Sequence, residues 1–289
     1  MKSLLPFFAL FLLHTTLGAQ YFEVGVLGGG GNYQGDLSNN SSTVYLGQTH
    51  FAGGVFGRYN ANDFLSIRAG FNFTSLSGAD ANAPVGVFRD RNLHFQTDVY
   101  EASLVGEFNI LRYQPYNLAN PFSPYIFGGI AFFTFNPKAE YEGNLVALQP
   151  LGTEGQGLPD RPDPYQTQQF AIPFGFGLKY ALNDHWNVGI ELGIRKTFTD
   201  YLDDVSTTYV SYNELLTTRG ELTAALANRQ GELLGSDPVV VPTGTQRGDG
   251  KTTDTYFILG LTVSYNFIDN GLVGSRNRSG RRRSGCRTD

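Results

Sequence analysis

Along the chain, large apolar side chains alternate with small or polar ones at a period of two. Trp186, Val188, Ile190, Leu192 and Ile194 take one set of positions; Asn187, Gly189, Glu191, Gly193 and Arg195 take the other. Successive side chains of a strand point to opposite faces, so this spacing predicts a strand with one apolar face. The pattern recurs at 65–74, 100–110, 170–180 and 257–267, and more weakly at 21–33, 50–60 and 123–135. Eight strands of about ten residues or more are therefore predicted, longer than the roughly 5–6 residues usual in soluble sandwiches. A strand of about 9–11 residues crosses a bilayer at a tilt.

The connections alternate in length. Residues 60–63, 112–121 and 183–185 are short turns; 34–49, 75–92, 136–167 and 201–251 are long loops. In lipid every backbone N–H needs a partner, so a spanning sheet must close. The predicted fold is all-β: an eight-stranded antiparallel up-and-down transmembrane β-barrel, OmpA/OmpX-like, over residues 20–268. An even strand number puts both termini on the short-turn, periplasmic side. Tyr21, Tyr33, Tyr59, Phe64, Tyr125, Phe135, Tyr180, Trp186, Tyr265 and Phe267 lie near strand ends and are predicted to form interfacial girdles. Within 211–234, Leu215, Leu222, Leu226 and Leu233 follow helical spacing, and Ser211 to Glu214 fits a capping box. A short helix is predicted in the fourth outer loop, weakened at Gly220. It either docks a partner or folds onto the barrel rim.

Parity also says what fills the barrel. Glu23, Arg58, Arg68, Glu101, Glu107, Lys179, Glu191 and Arg195 fall on inward positions, four acids and four bases. A selectivity ring would carry one sign. Balanced charge predicts a structural ion-pair network plugging a narrow lumen, because unpaired charge there is costly. A narrow channel or ligand-binding barrel is the alternative.

Composition narrows the chemistry. Charged residues make up 16% of the chain, against about 25% in an ordinary soluble domain. One cysteine, Cys286, excludes a disulfide framework and a cysteine zinc site, and four histidines leave little for metal binding. Neither metal nor cofactor is expected. The net charge of -5 argues against nucleic acid. Gly28 to Gly31 lacks the Lys-Ser/Thr of a phosphate loop and reads as close backbone packing. Asp200, Asp203 and Asp204 form a candidate outer-loop site, with loop ordering favoured over calcium binding or catalysis, so no catalytic residues are assigned.

The two ends of the chain differ from its body. Lys2, the apolar run Leu4–Leu13 and the small residues before Gln20 predict a secretory signal over 1–19. No later stretch is apolar enough for a spanning helix. Residues 270–289 carry six arginines and one aspartate. The segment 269–289 reads as a basic disordered periplasmic tail, suited to acidic headgroups or an acidic partner.

Several stretches resemble one family of Bacteroidetes outer-membrane barrels: Glu23–Val26, Asn32–Leu37, Pro124–Ile130, Phe135–Pro137, Ile172–Gly175 and, most specifically, Arg195–Ser206. The likeness is to the PorG-type component of the type IX secretion and gliding machinery. It covers residues 20–268 and excludes the arginine-rich tail. The resemblance implies a membrane-embedded subunit associated with a periplasmic ring of PorK-type lipoprotein and PorN-type protein, distinct from the translocation pore. Outer-membrane lipid of a Gram-negative bacterium would surround it. Candidate periplasmic partner contacts are then Asn60, Asp63, Arg112, Asn183, Asp184 and His185 in the short turns.

Overall fold

The computed structural model describes residues 21–38, 46–83, 87–114, 120–236 and 238–267. The predicted signal and tail, with Cys286, lie outside the described residues. Ten strands follow in order: β1 (Tyr21–Gln34), β2 (His50–Asn60), β3 (Leu65–Ala79), β4 (His94–Asn109), β5 (Phe122–Thr134), β6 (Lys138–Tyr141), β7 (Asn144–Ala147), β8 (Gln168–Ala181), β9 (Trp186–Thr197) and β10 (Thr255–Phe267). Eight of them pair antiparallel, each with the next along the chain. The ring closes where β1 pairs with β10 from Phe22↔Phe267 to Gln34↔Thr255. This is a closed eight-stranded antiparallel β-barrel, each of its eight strands paired on both sides.

The two faces sort as the alternation predicts. Val26, Val55, Ile67, Leu104, Ile126, Phe176 and Leu261 are exposed on the outside, Leu261 at 65%. An apolar band on every strand is far larger than the patches tolerated on a soluble surface. Among the described residues no helix is long and apolar enough to cross a membrane. The glycine run serves backbone proximity: a Cβ on Gly29 would lie 2.0 Å from the Leu259 carbonyl oxygen across the β1–β10 seam.

Three expectations change. First, the loop 136–167 is not irregular throughout: β6 and β7 form a hairpin joined to the barrel at Gln96↔Lys138. Second, four predicted girdle aromatics point inward: Tyr21, Tyr33, Tyr125 and Phe135 are buried. Tyr21 and Tyr33 share parity with Glu23, and Tyr125 is out of phase with outward Ile126, so alternation outranks position near a strand end. Phe64, Tyr180 and Trp186 do face outward.

Third, the helical stretch is three helices. After α1 (Val87–Arg91) come α2 (Tyr212–Arg219), α3 (Glu221–Ala227) and α4 (Gln230–Leu234). Gly220 at φ +92° separates α2 from α3, a backbone conformation favouring glycine. Ser211 makes no side-chain cap, so the predicted capping box does not form. Leu215 and Leu226 are buried, whereas Leu222 and Leu233 are exposed. The break at Gly220 rotates the second helix and splits the predicted leucine stripe. Leu226 packs in the same cluster as barrel residues Val99, Phe133 and Tyr256, so this segment covers the barrel mouth.

Candidate functional site

The interior brings all eight predicted charges together, each buried. In the β1–β2 register Glu23 faces Arg58, and in β2–β3 Arg58 faces Arg68. Like charges directly opposite repel. Glu107 from β4 resolves this: its carboxylate lies 2.9 Å from Arg58 Nε and 3.1 Å from Arg68 Nε, and it also accepts from Lys179 Nζ. Arg58 pairs further with Glu23, and Arg68 with Glu191 at 2.5 Å. Arg195 pairs with Glu101 at 3.0 Å. Neutral donors also reach two of these carboxylates: Tyr125 to Glu191 at 2.6 Å, Tyr256 to Glu101 at 2.6 Å, and Asn72 to Glu101 at 2.7 Å. Rings of Phe56 and Phe127 lie against the guanidinium groups of Arg58 and Arg68. A void lined by Arg68, Ser103, Glu191 and Arg195 measures about 10 Å³, room for about one water.

The long-loop end is a cap with its own polar interior. The three neighbouring aspartates separate. Asp203 is buried and accepts from the Tyr33 hydroxyl at 2.5 Å and the Leu37 N–H at 3.1 Å. Asp204 is buried and accepts from Thr153 at 2.5 Å and Tyr165 at 2.7 Å. Asp200 turns instead towards Asp36 and Asp249; one carboxylate oxygen of each lies within 4.8 Å of the others. Among the described residues this trio has the donor set for a cation. Two of the three already serve the loop: Asp249 accepts from Lys251 N, Thr252 N and Thr252 Oγ1, and Asp36 from Asp249 N; Asp200 Oδ2 is buried without a hydrogen-bond partner among the described residues. The single outer-loop site expected from the sequence therefore divides into three separate loop contacts.

Two arginines knit the cap. Arg247 Nη1 donates to Glu154 at 3.0 Å and to the Asp204 carbonyl at 2.6 Å. Arg91 pairs with Asp80 at 2.7 Å and donates to the carbonyls of Asp36 and Arg247. Glu154 accepts from the N–H groups of Ser206 and Thr207. The carboxyls here are still under-compensated. Burial raises Asp204 to about 6, partly offset by Arg247. Burial also lifts Asp36 to about 6 and Asp200 to about 7. Asp203 and Asp254 are pushed well above the usual carboxylate range, first by burial and then by neighbouring aspartates. Tyr33 Oη lies 2.5 Å from Asp203 and 3.1 Å from Asp254. It has one proton to give, and the two carboxyls compete for it.

At the short-turn end the candidate contacts divide. Asn60 is buried; it donates to Glu23 at 3.3 Å and accepts from Ser66 at 2.6 Å. It cannot be a surface contact, because alternation from Arg58 carries it into the lumen. Asp63 lies 3.7 Å from Arg112 and accepts from Gln114 at 2.7 Å. Asn183 Oδ1 accepts from the N–H groups of His185 and Trp186, closing that turn. The Asp184 carbonyl accepts from Asn266, and His185 stacks on Tyr265. Residues 115–119 lie outside the described residues.

Sequence reasoning missed Tyr125, Tyr256 and Asn72 as lumen partners, although their parity marks them. It also missed Arg91, Glu154 and Arg247 in the cap, for which no local signal exists.

A family model covers most of this architecture. The chain belongs to the family described as domain of unknown function DUF6089, matched over residues 2–223. The matched span includes β1 to β9 and stops within α3, so β10, which closes the barrel, lies beyond it. No curated protein matches the chain. Three solved outer-membrane proteins are similar to the chain. Neisserial surface protein A is 9% identical, with 85% of this chain and 97% of that chain covered and a TM-score of 0.40. The attachment invasion locus protein Ail of Yersinia pestis is 9% identical, with 87% and 100% covered and a TM-score of 0.38. The outer membrane protein OprG of Pseudomonas aeruginosa is 12% identical, with 86% and 96% covered and a TM-score of 0.36. The fold assignment rests on the strand pairing of this chain itself.

Proposed function

We propose that this DUF6089 chain is a non-enzymatic outer-membrane barrel subunit of a type IX protein secretion system. In this reading both termini and the short turns are periplasmic, and the barrel sits on a ring of PorK-type and PorN-type proteins. The observation that carries it is the filled interior: charge pairs and aromatic rings occupy the lumen, and the loops close its mouth. Such a barrel suits an anchoring role better than conduction. The finer assignment draws on the resemblance over Arg195–Ser206. Those residues run from the Arg195–Glu101 pair in the lumen to Asp203, Asp204 and Ser206 at the centre of the cap.

Deleting the gene should abolish export of type IX cargo, and cross-linking in native outer membrane should co-isolate the ring proteins. Normal export together with no ring protein recovered would reject the assignment. In planar bilayers the intact barrel should give no steady open channel.

A further inference from the structure

Beside the cap lies a polar cleft of about 820 Å³ that the anchoring role does not use. Its walls come from the top of β1 at Gln34, the tops of β9 and β10 at Lys196 and Thr255, and the loop 241–253. This volume falls within the usual range of small-molecule sites. The lining differs from the rest of the cap in one respect. In the rest of the cap Asp204, Glu154, Arg247 and Tyr165 are bonded to one another or to loop backbone. In the cleft the carboxamides of Gln34, Gln230 and Gln246 and the hydroxyl of Thr245 make no side-chain hydrogen bond among the described residues. Tyr209 also lines the cleft. It is 3% exposed and its hydroxyl has no hydrogen-bond partner among the described residues.

The walls are fixed independently of these groups. The Asp36 carboxylate holds the Asp249 N–H, and Lys196 Nζ holds the Thr253 carbonyl and lies 3.4 Å from Thr255 Oγ1. Amides and hydroxyls carried on fixed backbone match the paired donors and acceptors of sugar hydroxyls, and preorganised donors bind with less ordering cost. The carboxylates of Asp36 and Asp249 line the cleft together with Lys196, whose ammonium is held by neutral oxygens, while the cations Arg91 and Arg247 are paired within the cap. The unpaired lining charge therefore has no positive excess to hold an anionic sugar.

We infer that this cleft binds a short neutral oligosaccharide. Its position at the strand tops places it at the level of outer-leaflet headgroups if the long loops face outward, the orientation on which this inference rests. The same chemistry is offered by the glycan of a membrane glycolipid and by a free saccharide.

The test uses the full chain in lipid nanodiscs, titrated calorimetrically with two neutral probes: maltotriose, and an uncharged O-antigen repeat oligosaccharide released enzymatically from lipopolysaccharide. Binding of either probe, weakened about tenfold or more in the double variant Gln34→Ala/Gln246→Ala, is expected. Preference for the released oligosaccharide assigns the ligand to the glycolipid, and equal binding assigns it to soluble glycans. Both side chains are exposed and unbonded, so the variant should keep its heat-modifiable gel mobility. No binding of either probe, or binding unchanged in the variant, would overturn the inference. Export and saccharide binding are separate readouts, so either proposal can fail alone.

Discussion

The lumen and the cap solve the same problem with different means. Both bury several ionised groups, and both must pair them. In the lumen the partners sit on regular strands, acids and bases are equal in number, and three bases meet Glu107 directly. In the cap, buried aspartates outnumber the arginines that reach them, and neutral donors carry much of the work: Tyr33, Thr153, Tyr165 and backbone N–H groups. The lumen carries no surplus of either sign. Surplus carboxylate makes the cap respond to mild acid.

The sharpest way to break this comparison is Glu107→Ala. It leaves Arg58, Arg68 and Lys179 facing one another in a closed interior, and removing one partner of a buried pair costs roughly 3–5 kcal/mol. Urea unfolding followed by gel mobility should show that loss in the whole barrel. Arg247→Ala should act on the cap alone. It removes the donor to Glu154 and the Asp204 carbonyl, at a cost of about 2 kcal/mol. Limited proteolysis should then cut within 201–251 while the barrel core stays intact; an equal loss of barrel stability would show that the two regions are one cooperative unit.

Acidity gives the third contrast. The cap carboxyls have folded-state affinities for protons above their unfolded ones, so the folded cap binds more protons across the intervening range. Its stability is greatest below about pH 4, the usual carboxylate value. It declines as pH rises through about 6 for Asp36 and Asp204 and about 7 for Asp200. Amide exchange at 200–206 and 248–254, corrected for intrinsic chemistry, should be slower at pH 5 than at pH 8, and Asp203→Asn should flatten that difference. A slope of the opposite sign would mean the arginines dominate. The smallest effect expected is Gly220→Ala. Nothing obstructs a Cβ there, so only the positive φ is strained, at about 1 kcal/mol. It should loosen α2 and α3 in exchange experiments and leave barrel unfolding unchanged.

Legibility followed regularity. Glu23, Arg58, Arg68, Glu101, Glu107, Lys179, Glu191 and Arg195 were all placeable inside from parity, and the same rule would have claimed Asn60 and Tyr125. Both were misread because closeness to a strand end was weighed above phase. Asp200, Asp203 and Asp204 were found as a cluster, but adjacency in a loop says nothing about shared direction. The contacts between Arg91 and the Arg247 carbonyl, and between Glu154 and Arg247, span 156 and 93 residues. No spacing rule connects such positions.

The sequence by itself determined the strands, their two faces, the alternation of short and long connections, and the sign and number of the interior charges. It does so because a strand has a period of two, and closure follows from unpaired backbone. Which acid meets which base was decided by register and by the distance across the barrel. The course of the loops, the partition of the three aspartates and the polar cleft were decided by tertiary structure alone, because irregular backbone carries no periodicity from which a side chain's direction can be read.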